Sequence, residues 1–204
     1  MGDQAPPVMP QTPLTVADIG EFGLIDRLRR RFEQGGEGVL RGIGDDTAAL
    51  QVRPGYLLLA TTDALVEGVH FQRATIPARL LGRRALAVNV SDIAAMGGIP
   101  RWALVALGLP AETPLPFIDD LVEGLAEQAD LHQIRIVGGN LTRSPERLVL
   151  DLTLLGEVEM DRAIYRTGAR PGDRILVTGT IGDSAAGLAI LLGQVPEPFQ
   201  GLTN

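Results

Sequence analysis

Residues 78–98, ARLLGRRALAVNVSDIAAMGG, carry most of the information about the fold. Leu81, Ala85, Val88 and Ala95 recur at spacings that place them along one side of a helix, and Gly97-Gly98 marks its stop. The segment is apolar on most sides, as a helix is when it lies in a core. Asn89 and Asp92 sit inside it, three residues apart and so on one face. A carboxylate in an apolar helix needs a partner, because an unpaired buried charge is costly.

Short β-like runs precede this helix at 39–40, 48–52, 56–60 and 65–71, with Pro54-Gly55 as a turn signal between two of them. Beyond it, 102–109 reads as a strand and 114–131 as a second amphipathic helix, with Phe117, Leu121, Leu125 and Ala129 about four apart. Strands follow at 134–137 and 148–158. Strands interleaved with two long helices predict an α+β domain, a mixed sheet with helices packed on one face.

At the N-terminal side, Thr15 and Asp18 frame a capping-box analogue. The helix it opens carries Ile19, Phe22, Ile25, Leu28 and Phe32 on its apolar side and Arg27, Arg29, Arg30 and Arg31 mostly on its solvated side. The Pro-rich residues 1–14 read as a flexible tail, and 15–158 as one full domain. After the turn signal Arg170-Pro171-Gly172-Asp173, a strand at 174–178 and a small-residue helix to Leu192, capped by Asp183 or Ser184, are expected. One strand and one helix cannot bury a core, so 159–204 reads as the incomplete beginning of a second α+β domain that leaves apolar surface exposed.

Composition narrows the chemistry. There is no cysteine, which excludes disulfides, thiolate metal sites and thiol nucleophiles. All 18 basic residues are arginine, so no Walker lysine, kinase strand lysine or Schiff-base lysine is present. The net charge of −7 argues against a broad nucleic-acid surface. No apolar run approaches the ~20 residues of a membrane-spanning helix, and no signal peptide is apparent, so a cytoplasmic protein is the expectation.

Four stretches place oxygen ligands beside glycine or at element ends. Gly42-Ile43-Gly44-Asp45-Asp46 pairs adjacent carboxylates with mobile backbone, although a solvated turn would read the same. Thr61-Thr62-Asp63 follows an apolar run with hard oxygen donors suited to Mg²⁺, or is a plain strand exit. Asn89-Val90-Ser91-Asp92 is the third. Gly138-Gly139-Asn140 is a phosphate-approach loop or a turn. His132 reads as a surface residue, and His70 is either structural or within reach of the Thr-Thr-Asp site. Together these suggest loops converging on Mg²⁺ and phosphate, with metal and arginine carrying the charge stabilisation.

The ordered set of blocks resembles the thiamine-monophosphate kinase family, within the superfamily typified by aminoimidazole ribonucleotide synthetase. Those blocks are Glu21-Phe22-Gly23-Leu24-Ile25, the Gly-Ile-Gly-Asp-Asp and Thr-Thr-Asp stretches, and Glu67-Gly68-Val69-His70-Phe71. They continue with Ala87 to Gly97, Gly138-Gly139-Asn140, Arg166-Thr167-Gly168-Ala169 and Thr178 to Leu188. The resemblance implies ATP-dependent phosphorylation of thiamine monophosphate to thiamine diphosphate by direct transfer, with several Mg²⁺ ions and ATP as co-substrate; the alternatives are a sister enzyme of the superfamily acting on another substrate and a non-catalytic dimerising fragment. It implies metal ligands at Asp46, Thr61, Thr62, Asp63, Asp92 and Asn140, a substrate contact at His70, and ATP contacts at Gly139, Asn140 and Arg166. It also implies a homodimer formed through the N-terminal domain; neither nucleic acid nor membrane is expected as partner, from the net charge and the short apolar runs. Asn140 departs from the Asp frequent at its position and brings no charge. Family chains continue through a second domain whose motifs have no counterpart after Leu192, so a shortened chain is expected.

Overall fold

The computed structural model describes residues 13–32, 35–43 and 47–194. The chain divides into two compact units, Met1–Ile164 and Tyr165–Asn204.

The first unit opens with helix α1 (Val16–Phe32). The capping box forms as expected: Asp18 Oδ2 accepts from the Thr15 N–H at 2.7 Å and from the Thr15 hydroxyl at 2.8 Å. Gly20 then breaks the helical path with φ 66° and ψ −178°, a conformation open to glycine and strained for other residues. The break shifts the apolar stripe. Phe22, expected inward, is 85% exposed, while Leu24 is buried in the core. Arg27 and Arg31, expected in solvent, instead pair with Asp119 and Glu123 of a later helix. Of the expected tail, 1–12 lie outside the described residues, and the Leu14 carbonyl accepts from the Leu115 N–H at 2.7 Å.

Strands β1 (Val39–Arg41) and β2 (Ala49–Leu50) form a small antiparallel pair. The main sheet holds β3 (Tyr56–Val66), β4 (Ile99–Leu109), β5 (Arg135–Arg143) and β6 (Val149–Glu159) in the order β3-β6-β4-β5. The β3-β6 and β6-β4 ladders are antiparallel and β4-β5 is parallel. Helices α2 (Ala78–Ala95) and α3 (Leu115–Leu131) cover one face, as expected of the mixed sheet. The alternation in β6 shows why. Leu150, Leu152 and Leu154 are fully buried against the helices, and the intervening Asp151 and Thr153 face the other way. Each such leucine contributes about 1.5–3 kcal/mol of transfer free energy.

Two glycines bring α2 and α3 into backbone contact. A Cβ on Gly82 would lie 2.1 Å from the Leu121 carbonyl oxygen, and one on Gly124 would lie 1.9 Å from that of Arg79. No larger residue fits at this crossing.

Two expectations about strands are corrected. The runs at 56–60 and 65–71 are not separate elements. β3 continues through Thr61-Thr62-Asp63, because β6 offers an unbroken eleven-residue partner from Tyr56↔Glu159 to Val66↔Val149. Likewise β5 runs through Gly138-Gly139-Asn140, held by β4. Both stretches are mid-strand, not loops.

In the second unit the described regular element is helix α4 (Asp183–Leu191). The strand expected at 174–178 does not form, since a ladder needs a partner and the described part of this unit supplies none. Ile175 and Leu176 are exposed there. Gly182, not Asp183 or Ser184, is the N-cap of α4, and Asp183 stands in the first turn accepting from the Thr180 hydroxyl. No helix among the described residues is long and apolar enough to cross a membrane.

Candidate functional site

The Thr-Thr-Asp stretch lies in the middle of an extended strand, so its side chains alternate between the two faces of the sheet. Thr61 and Asp63 share the face of Leu59 and Leu65, which pack in the helix-covered core. Thr61 donates from Oγ1 to Asp92 Oδ2 of α2 at 2.7 Å. Asp92 is therefore not embedded as the sequence suggested. It is exposed at the edge of the helix layer and reaches β3. Asn89, expected to share its face, is fully buried and donates from Nδ2 to the Ala85 carbonyl at 3.1 Å. The Asn89 Oδ1 atom has no hydrogen-bond partner among the described residues.

Thr62 points to the opposite face, away from α2 and α3. Its hydroxyl lies 2.9 Å from Asp151 Oδ1 and 3.0 Å from the Leu152 carbonyl. Asn140 reaches this same face, because it is register partner to Ala106, which is in turn partner to Asp151. A cavity of about 700 Å³ is lined by Gly138, Gly139, Asn140, Asp151 and Thr153 of the sheet and is bordered by Glu21, Ile25, Leu28 and Phe32 of α1. Ile43 and Thr47, which flank the Gly-Asp-Asp stretch, border the same cavity. Asp46 itself lies outside the described residues. At Gly139, φ is 151° and an added Cβ would sit 1.8 Å from the Val105 carbonyl oxygen, so the bare backbone is required.

His70 lies in the turn after β3. Its Nδ1 accepts from the Val66 N–H at 3.0 Å, which leaves Nε2 to carry the ring proton. Arg84 donates to the His70 carbonyl at 3.0 Å. Glu67 ties this turn to β6 by accepting from Arg73 Nε at 2.6 Å and the Leu148 N–H at 3.0 Å. Burial alone would raise its pKa, but those two donors outweigh it and hold the carboxyl below the ordinary range. His70 is not among the residues lining the cavity. Arg166 belongs to the second unit, where it is exposed.

Six arginines of the first unit are engaged elsewhere. Arg27, Arg31, Arg79, Arg53, Arg73 and Arg101 pair with Asp119, Glu123, Glu127, Glu157, Glu67 and Glu157 respectively. None of the ion pairs among the described residues includes Asp63, Asp92 or Asp151. In a chain so rich in arginine, these three carboxylates remain open to another cation. No group of three or more His, Asp or Glu side chains gathers among the described residues. The donors are instead carboxylates, threonine hydroxyls and one amide oxygen. These are all hard oxygen ligands, and they suit Mg²⁺ in chemistry.

Glu157 is the structural contrast. It is 1% exposed and accepts from the Arg53 N–H at 2.9 Å, Arg53 Nε at 2.7 Å and Arg101 Nε at 3.2 Å. Burial opposes its ionisation, but the Arg53 amide and guanidinium outweigh that and lower its pKa from the usual 4.5. A carboxyl lowered on folding adds stability that is full above its unfolded pKa and is lost as pH falls through the folded one. Glu157→Gln is therefore expected to cost about 3 kcal/mol near neutral pH. The deficit should shrink below about pH 4.5, which urea titrations at stepped pH will measure.

The sequence reading did not single out Asp151. The signal was available in the alternation Leu150-Asp151-Leu152-Thr153-Leu154, which puts both polar residues on one face of a strand.

The family described as AIR synthase related protein, N-terminal domain, matches residues 44–158. The thiamine-monophosphate kinase of Aquifex aeolicus is 41% identical over 189 residues, which cover 92% of this chain and 58% of that relative. A crystal structure of thiamine-monophosphate kinase from Stenotrophomonas maltophilia K279a is 42% identical with a TM-score of 0.74, covering 87% of this chain and 55% of that one. The structure of AaThiL complexed with AMPPCP and TMP is 37% identical with a TM-score of 0.66, covering 95% and 60%. The chain thus spans somewhat over half the length of these relatives.

Proposed function

The chain belongs to the AIR synthase related family through its N-terminal domain, and from that premise we propose that it serves the ATP-dependent phosphorylation of thiamine monophosphate to thiamine diphosphate. The observation that carries the reading is that Asp63 and Asp92 on one face of β3, and Asp151 on the other, are left without arginine partners beside its threonine hydroxyls. The likeness to named kinases and to a complex with an ATP analogue and TMP supports it.

In this reading a phosphate oxygen of thiamine monophosphate attacks the γ-phosphorus of ATP, the bond to the β-phosphate oxygen breaks, and ADP leaves. Bound Mg²⁺ supplies neutralisation of the charge that develops on the phosphoryl oxygens. Asp46, Thr61, Thr62, Asp63, Asp92 and Asn140 would hold several Mg²⁺ ions, with Thr61, Asp63 and Asp92 on the helix-covered face of the sheet and Thr62 and Asn140 on the other. Gly139, Asn140 and Arg166 contact the nucleotide. His70 offers Nε2–H as a donor to the substrate, because Val66 occupies Nδ1. The proposal includes a homodimer and a cytoplasmic location.

The test is incubation of the chain with ATP, Mg²⁺ and thiamine monophosphate, with thiamine diphosphate followed by chromatography. Product above a blank, abolished by EDTA, is expected. No product, either from this chain or from one extended to its relatives' length, would sink the reading.

A further inference from the structure

We propose that Asp151 is a further cation-facing residue of the sheet face opposite α2 and α3, supplying the negative charge that Asn140 lacks; this rests on the Mg²⁺-dependent reading above. Asp151 stands in β6, an inner strand, where its register partners are Ala64 on β3 and Ala106 on β4. Neither alanine can offset a charge. None of the ion pairs among the described residues includes Asp151. Its Oδ1 accepts from the Thr62 hydroxyl at 2.9 Å, and the Thr153 hydroxyl lies 3.3 Å from that of Thr62. These hydroxyls orient the carboxylate without neutralising it.

Asn140 occupies the matching register position on β5, on the far side of Ala106. The small Ala106 side chain leaves the space between them open. Asn140, Ala106, Asp151 and Thr153 all line the same cavity. Two strand spacings, roughly 10 Å, separate the β5 and β6 backbones. That span is too wide for a direct bond between amide and carboxylate. It suits a cation that keeps part of its water shell, as Mg²⁺ does. Along the row Asn140, Ala106, Asp151 and Thr153 the charge resides on Asp151, and Glu21 of α1 is a second carboxylate bordering the cavity.

Mn²⁺ is the probe, and its binding to the 204-residue chain is followed by the paramagnetic resonance of the free ion. Asp151→Asn keeps an acceptor for Thr62 and the side-chain volume while removing the charge. It is expected to weaken binding by about tenfold or more. Adding Asn140→Asp to that variant returns a carboxylate across Ala106 and is expected to restore affinity, which a residue that merely braces Thr62 would not allow. Asn140→Asp alone is expected to tighten binding, and it keeps the test independent of how Asp151→Asn folds.

Asp63→Asn is measured alongside. If it weakens binding while Asp151→Asn leaves binding unchanged, the assignment of Asp151 is overturned and the Mg²⁺ reading stands. A double variant as weak as Asp151→Asn, or no tightening in Asn140→Asp, also overturns it. A wild-type chain that binds no Mn²⁺ ends both.

Discussion

Gly124→Ala is expected to lower the melting temperature of the first unit by roughly 6–12 °C, about 3 kcal/mol or more at the usual few degrees per kcal/mol for a chain of this size. The sign is what makes the experiment informative. In a solvated helix, exchanging Gly for Ala stabilises by about 1 kcal/mol, because it lowers the backbone entropy of the unfolded chain. At position 124 the new methyl would lie 1.9 Å from the Arg79 carbonyl oxygen and 2.7 Å from the carbonyl carbon. That neighbour is helix backbone and cannot swing aside. The helices must separate, and separation loosens Leu81, Leu121 and Leu125, all buried at that layer. Gly187 provides the control. It lies in α4, and a Cβ added there would meet nothing within 4 Å, so Gly187→Ala is expected to be neutral or stabilising by up to ~1 kcal/mol. Thermal denaturation of the two variants side by side checks both. Equal effects would mean that the contact between α2 and α3 is looser than described.

Asp63→Ala is expected to reduce thiamine diphosphate formation by about a hundredfold or more, with the melting temperature unchanged or raised. Asp63 shares the helix-facing side of β3 with Thr61, and it forms no ion pair among the described residues. Removing such a carboxylate breaks no attraction within the fold and relieves the cost of placing a charge near an apolar layer. Its loss should be felt only where charge develops during phosphoryl transfer. Glu157→Gln should show the opposite signature, with stability lost because two arginines are left facing a neutral group. Product formation and melting temperature, measured on both variants, separate an acid that serves the fold from one that serves a ligand. If Asp63→Ala melted several degrees lower with activity intact, Asp63 would be structural and the proposed metal set would fail at its centre.

Both helices that cover the sheet were legible as helices from apolar spacing, but α2, expected to be buried on most sides, buries one side only, with Leu80, Arg83, Arg84 and Ala95 exposed. α2 at Ala78–Ala95 and α3 at Leu115–Leu131 fall within a residue or so of the expected bounds. The capping of α1 by Thr15 and Asp18 was likewise local and visible. Strand extent was not. Thr61-Thr62-Asp63 and Gly138-Gly139-Asn140 carry polar and flexible residues that read as exits, and only pairing with β6 and β4 keeps them extended. The same reason explains the missing strand at 174–178, where an apolar run has no described partner.

The chemistry of the candidate site, hard oxygen donors with neither lysine nor cysteine, follows from residue types and their spacing alone. Which donors face each other does not. Thr61 turns to Asp92 and Thr62 to Asp151 because adjacent residues of a strand point to opposite faces. Asp151 meets the Asn140 row only through β4, across contacts that join residues distant in the chain. Local pattern reports periodicity and charge, whereas register is a long-range property set by which strands pair. The division of this site between two sheet faces was therefore decided by the assembled sheet.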